Sequence, residues 1–153
     1  MEKLHTYEIN WKLVAQGLGL PIDKTLDLFD DGRIMGRVGE FLHQNSEMGV
    51  RENENSSFDV LDVNNIRSEI RTITDKVSFA SSKEIGYGRT VTEEGFKQKL
   101  DSVDRFILID KRSINEGKIQ TISLTKNDVE NLPLGKKKSI SSKKFFEIYD
   151  RDK

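Results

Sequence analysis

Two carboxylates, Asp59 and Glu69, stand where strands normally carry packing residues. They belong to the stretch FDVLDVNNIRSEIRTITDK, Phe58 to Lys76. The stretch reads as two antiparallel strands joined by a turn at Val63-Asn64-Asn65. Side chains alternate along a strand, so Phe58, Val60 and Asp62 point one way and Asp59 and Leu61 the other. After the turn, Ile66, Ser68, Ile70 and Thr72 share one face, and Arg67, Glu69, Arg71 and Ile73 share the opposite one. If the hairpin closes at that turn, Asp59 and Glu69 converge at one end of the sheet. Two ionised carboxylates at close range repel unless something positive sits between them. A divalent cation removes that cost, and hard cations prefer oxygen ligands. The competing explanation is an ion network on a solvated edge strand. Val60, Leu61, Ile66, Ile70 and Ile73 make the strands largely buried and favour the metal. Asp62 reads as the acid that initiates the turn by bonding the amides that follow it.

A second group with chemical potential is VSFASSKEIGYGRTV, residues 77–91. Ser81, Ser82, Lys83, Gly86, Tyr87, Gly88 and Arg89 cluster in one loop. Glycine amides, two hydroxyls and two cations can grip phosphate, and Tyr87 can stack or pack. The loop lacks the ending and spacing of a nucleotide-binding Walker loop. Lys136, Lys137 and Lys138 form a basic run, either a solvated tail or a contact to a nucleic-acid backbone. With no cysteine in the chain, disulfides, thiolate metal sites and cysteine nucleophiles are excluded. The two histidines, His5 and His43, lie far apart in sequence and do not suggest a zinc site.

An Asp on one strand, a Glu ten positions later and a basic residue two after the Glu resembles the PD-(D/E)xK nucleases. The likeness is to small type II restriction endonucleases and related homing enzymes, and it covers roughly residues 36–111. Asp59, Glu69 and Arg71 carry it; the family usually has Lys where this chain has Arg71. The resemblance implies a metal-dependent endonuclease that hydrolyses DNA phosphodiester bonds. It implies Mg²⁺, with Mn²⁺ as substitute, held by Asp59, Glu69 and the backbone carbonyl of Ile70. Glu40, on the helix before the hairpin, stands where the family completes its metal shell. Arg71 can stabilise negative charge but does not shuttle protons, because guanidinium stays protonated. Lys76 or Lys83 could take the usual lysine role, the metal alone could lower the pKa of water, or the protein could be inactive. The implied partner is double-stranded DNA, contacted through Ser81, Ser82, Lys83, Tyr87, Arg89 and Lys136 to Lys138. Cleaving both strands of a duplex needs two active sites, so a homodimer or larger assembly is expected. The alternatives are a catalytically inactive nucleic-acid-binding protein on the same fold and an interaction domain with no nucleic-acid partner.

The elements that must position these residues can be read along the chain. At 153 residues, one domain is expected. Charged residues make up 33% and hydrophobic residues 35%, and apolar runs recur throughout, so the chain reads as globular rather than disordered. A net charge of −1 gives bulk electrostatics no part in drawing it to nucleic acid. No apolar run reaches membrane-spanning length and no signal-peptide pattern is visible, so a cytoplasmic protein without a membrane partner is expected.

The expected fold class is α/β: a central mixed β-sheet flanked by helices, restriction-endonuclease-like. Residues 1–32 are expected to be helical and available for oligomerisation, 33–125 to form the core, and 126–153 a basic C-terminal part. Helices are expected over 5–18, with Ile9, Leu13, Val14 and Leu18 inward, and over 22–29. A third is expected over 33–46, with an apolar stripe of Ile34, Val38, Phe41 and Leu42. Gly36 and Gly39 in that helix suggest close approach to another backbone. Residues 47–57 read as a loop. Thr92 opens a helix whose inner stripe is Phe96, Leu100 and Val103. Asp104 to Lys111 is a buried central strand, and 118–124 is another. Thr125 and Ser141 are expected to cap two short C-terminal helices.

Overall fold

The uninterrupted apolar run Phe106-Ile107-Leu108-Ile109 has no polar face to give to water, so it belongs at the centre of a sheet. In a computed structural model, describing residues 1–51 and 56–152, it forms β6 (Arg105–Asp110), and all four side chains are fully buried. On one side β6 pairs antiparallel with β7 (Lys118–Thr125), on the other parallel with β4 (Arg67–Thr72). β1 (Glu2–Glu8) adds to β7, while β3 (Val60–Leu61) and β2 (Val50–Arg51) extend the far edge. The six-stranded mixed sheet therefore runs β1-β7-β6-β4-β3-β2. A separate two-stranded sheet joins β5 (Lys76–Ser78) to β8 (Ser139–Ser141). The fold is a single α/β domain with helices on both faces of the sheet, as its alternating patterns suggest.

Each face carries its own core. Phe106 and Leu108 pack with Ile122, Leu124 and Ile73 beneath α4 (Glu93–Ser102), α5 (Lys126–Glu130) and α6 (Ser142–Arg151). Ile107 and Ile109 pack with Ile70, Val60 and Ile119 beneath α1 (Trp11–Leu18) and α3 (Gly32–Ser46), to which α2 (Ile22–Asp30) is joined. The expected caps form: Thr92, Thr125 and Ser141 accept amide hydrogens from Gly95, Asp128 and Lys144. Asp128 returns a bond to the Thr125 amide, completing a capping box.

Four expectations are corrected. The first helix does not begin at residue 5. Residues 2–8 are an edge strand of the main sheet, and Asn10 caps a shorter helix by accepting from the Leu13 amide at 3.1 Å. Residues 1–32 are therefore not an all-helical part, and Leu13 and Leu18 are exposed while Trp11 and Ala15 are buried. On α3 the buried positions are Met35, Gly39 and His43, not the stripe of Ile34, Val38, Phe41 and Leu42; Phe41 is exposed. The reason is steric: a Cβ at Gly39 would lie 2.0 Å from Ile109 Cδ1, so the helix seats its bare backbone on β6. Gly36 is looser, its nearest neighbour 3.5 Å away at Thr72.

The chain after β4 does not stay in the main sheet: β5, Lys76–Ser78, lies in the two-stranded one. Phe58 departs from Val60 and Asp62 and packs against the core beneath α4. Of the loop expected over 47–57, residues 50 and 51 are strand and 52–55 lie outside the described residues. Among the described residues, no helix is long and apolar enough to cross a membrane.

Candidate active site

The hairpin closes where the turn residues place it. Val60 pairs with Ser68 and Leu61 with Arg67, and the Asn65 amide bonds the Asp62 carbonyl at 2.8 Å. Asn65 takes the left-handed conformation at φ 62°, which asparagine tolerates. This register sets Asp59 beside β4. Its amide donates to the Ser68 carbonyl at 3.0 Å, and its Oδ2 accepts from the Ile70 amide at 2.8 Å. The Glu69 charge raises the Asp59 carboxyl, so the two acids picked out by spacing lie within electrostatic reach of each other.

Their electrostatics are strained. Burial, then the Glu69 charge, push the Asp59 carboxyl up to about 7; the Ile70 amide opposes this and the Glu40 charge adds to it. Asp59 is the acid that has no cation of its own among the described contacts. Glu69 is buried and has two: Lys99 Nζ sits on its Oε2, and Arg71 Nε lies 3.6 Å from its Oε1. Lys99 Nζ also donates to the Ser57 carbonyl at 2.7 Å. A buried lysine is rare unless it is paired, and Lys99 is buried on α4, facing the strand that carries Glu69.

Lys99 escaped the sequence reading, although a sign was present. Phe96, Lys99, Leu100 and Val103 fall at i, i+3, i+4 and i+7, so a lysine occupies the inner stripe of α4. Arg71 is turned to another task. Its Nη1 and Nη2 donate to the carbonyls of Ser78 and Ala80 at 3.2 and 2.9 Å, which ties β4 to the chain entering the 81–89 loop. Of the other lysines considered, Lys76 is exposed on β5 and Lys83 lines a cleft.

That cleft is linked to Glu69 through Lys99, which lines it; Asp59 and Glu69 themselves are not among its lining residues. The cleft encloses about 750 Å³ between the 81–84 segment, α4 and Ser56-Ser57. Ser81, Ser82 and Lys83 form one wall and Gln98, Lys99 and Ser102 the other. Glu84 folds back to cap α4, its Oε2 accepting from the Thr92 amide and hydroxyl. Gly95 makes room for it: a Cβ there would lie 2.0 Å from Glu84 Oε1. The loop and the distant lysine run meet as well, since Lys137 Nζ donates to the Arg89 carbonyl at 3.1 Å. Lys138 is engaged with Glu93 at 2.7 Å and with the Phe96 ring, while Lys136 is exposed.

The donor set suits a hard cation in part. Asp59 and Glu69 offer carboxylate oxygens within reach of each other's charge, and an Asp pushed upward by burial and then by a like charge is what a divalent ion would relieve. Ile70 presents its N–H, not its carbonyl, to Asp59. Glu40 pairs with Arg37 at 3.7 Å and adds its charge at Asp59. Among the described residues, no group of three or more Asp, Glu or His is arranged to hold a metal ion.

Asp62 begins the turn through its backbone, but its side chain does not serve the amides that follow it. It is buried on the α3 side, where it takes hydrogen bonds from Ser68 Oγ at 2.7 Å and Arg105 Nη2 at 2.6 Å, with His43 Nε2 at 3.0 Å. Burial pushes this carboxyl up, but those three partners outweigh it and hold it below the usual range. His43 is fully buried, with Nδ1 lacking a partner. Asp110, the last residue of β6, is buried; its Oδ1 accepts from the Arg112 amide at 3.0 Å, and its carboxylate pairs with the Arg112 guanidinium, which reaches on to Asp150 at 2.8 Å. No protein-family model, no curated protein and no solved structure matches this chain, so the likeness to the PD-(D/E)xK nucleases rests on the residues and geometry described above.

Proposed function

We propose that this protein is a divalent-metal-dependent endonuclease that hydrolyses phosphodiester bonds in double-stranded DNA. The observation that carries the reading is the Lys99–Glu69 pair, with Asp59 in reach of the Glu69 charge, where Lys99 lines an open cleft that also offers Ser81, Ser82 and Lys83. Asp59 and Glu69 would hold Mg²⁺, or Mn²⁺ in its place. When bound, the ion supplies Lewis-acid activation of water and neutralises charge on the scissile phosphate. The Lys99 ammonium, kept in place by Ser57 and Glu69, donates hydrogen bonds to the charge that develops as water adds to phosphorus and one ester bond breaks. Lys99 thus takes the place that Arg71 cannot fill. Arg71 positions the loop, and Ser81, Ser82 and Lys83 hold flanking phosphates.

Plasmid nicking or linearisation in Mg²⁺ or Mn²⁺ tests the reading. Asp59→Ala, Glu69→Ala and Lys99→Met are each expected to reduce cleavage by at least about 100-fold, while circular dichroism reports the retained fold. Wild-type activity in the Asp59 or Glu69 variant rejects the assignment. A non-catalytic nucleic-acid-binding protein is the second reading, favoured by one observation: Lys99 already neutralises Glu69 without any metal. Binding without cleavage at any divalent ion decides for it.

We propose a homodimer or larger assembly through the N-terminal helices, where Leu13, Leu18, Ile22 and Leu28 are exposed. Sedimentation of wild type against a Leu13→Lys, Leu28→Lys double variant tests this, a monomer for wild type being the contrary result.

A further inference from the structure

Among the residues expected to contact DNA, Tyr87 has no stated task in the proposed reaction. Tyr87 is fully exposed, at the tip of a loop that continues the wall of the cleft. A lone exposed aromatic is ordinary, but this one is held out by design of the backbone. Gly86 and Gly88 on either side have φ of +134° and +74°, conformations that other residues seldom adopt. The loop is braced from within: Arg89 donates to the carbonyls of Lys83 and Ile85 at 3.3 and 3.4 Å, and its amide bonds Gly86 at 3.2 Å. Lys137 fastens the base by its bond to the Arg89 carbonyl.

Four exposed cations, Lys83, Arg89, Lys136 and Lys137, belong to this loop and to the segment tied to it through Lys137. Of the acids nearby, Glu84 bonds Thr92 and Glu93 pairs with Lys138, while Glu94 is exposed on the cleft. In a chain of net charge −1 this is a local basic patch with an aromatic at its tip. A pre-positioned aromatic within a cationic rim matches nucleic acid, because phosphates meet the cations while a base offers a π-face to the ring. A membrane surface would ask for a broader apolar face than Tyr87 and the half-exposed Ile85 provide.

We infer that Tyr87 is a stacking wedge that engages an unpaired or unstacked base next to the phosphate held in the cleft. The protein then favours DNA that is single-stranded, bulged or easily unstacked over uniform duplex, since unstacking is cheapest there. This inference rests on the nucleic-acid reading but not on cleavage.

Fluorescence anisotropy in EDTA at low salt tests it on three labelled probes: a single strand, a duplex with one unpaired base, and the same duplex fully paired. Wild type is expected to prefer the first two. Tyr87→Ser should lose about tenfold or more in affinity for them and much less for the paired duplex, while Tyr87→Phe stays within about twofold of wild type. Equal affinity of wild type and Tyr87→Ser on all probes overturns the wedge, and so does an equal loss in Tyr87→Phe. Tyr87-dependent binding to phosphatidylserine vesicles, with no binding to DNA, overturns it in favour of a membrane. Tyr87-dependent DNA binding supports it whether or not Mg²⁺ then brings cleavage, so the wedge and the hydrolase reading fail separately.

Discussion

Adjacent residues of β4 enter two buried polar clusters that differ in how their charge is settled. Ser68 faces α3 and Glu69 faces α4, as alternation along a strand requires. On the α3 side Asp62 has donors to spare. Ser68, Arg105 and His43 surround it, Arg105 Nη2 also lies 3.7 Å from Glu47, and Glu47 meets His5 at 2.8 Å. On the α4 side the acids outrun their donors: Lys99 and Arg71 both serve Glu69, and Asp59 is left with the Ile70 amide and a neighbouring carboxyl. One carboxyl is held below its ordinary range and the other is raised to about 7. A cluster that satisfies its charges acts as a lock. A cluster that leaves one unsatisfied is where the proposed reading puts its cation.

Removing Asp62 should break the lock. Asp62→Ala leaves Arg105 and His43 buried without their acceptor, and about 3–5 kcal/mol of stability should be lost in urea denaturation. A loss below about 1 kcal/mol would mean that the network holds nothing, and the contrast with the α4 side would fade.

The opposite sign is expected at Asp59. Its folded pKa lies above the ordinary 3.8, so its contribution to stability is fully present below about pH 4 and is lost as pH rises through about 7. Asp59→Asn should therefore gain stability relative to wild type at pH 8, on the order of 1–4 kcal/mol, and show no gain at pH 4. Denaturation midpoints of both proteins across that range check it, and a gain independent of pH would place the cause elsewhere.

Gly39→Ala probes the helix that serves both clusters, since Glu40 and His43 ride on α3. The added methyl meets Ile109, and a cost of about 1–3 kcal/mol is expected. Trimming the neighbour in Gly39→Ala, Ile109→Val should recover part of it. The smallest effect is that of the ion itself. At pH 8, Mg²⁺ or Mn²⁺ at tenfold above its dissociation constant should stabilise wild type by about 1.4 kcal/mol and leave Asp59→Ala, Glu69→Ala unmoved. Equal shifts in both melting temperatures would take the α4 cluster out of metal binding.

Much of the scaffold was legible because local physics settles it. The run Phe106 to Ile109 could only be a strand buried on both faces, and the Thr92, Thr125 and Ser141 hydroxyls mark helix starts by their own hydrogen bonds. That Asp59 and Glu69 lie in reach of each other was legible for a related reason: a short turn between two strands leaves few registers. Residues 5–8 were misread because Ile9, Leu13 and Leu18 mimic a helical period across the boundary that Asn10 imposes. The face of α3 was misread because apolar side chains were counted, whereas Gly39 decided the docking by having none.

The sequence by itself determined the central strands and most of the helices, where most helices start, and that one hairpin would bear two acids in reach of each other, since these follow from period, capping and turn chemistry between near neighbours. Only the tertiary structure decided that Lys99, thirty residues beyond Glu69, stands on it, that Asp62 turns inward to His43 and Arg105, and that Lys137 comes to rest against Arg89. Those pairings cross long stretches of chain, and they exist because α4 and α6 must bury their apolar stripes on one face of the sheet and α3 must bury its own on the other.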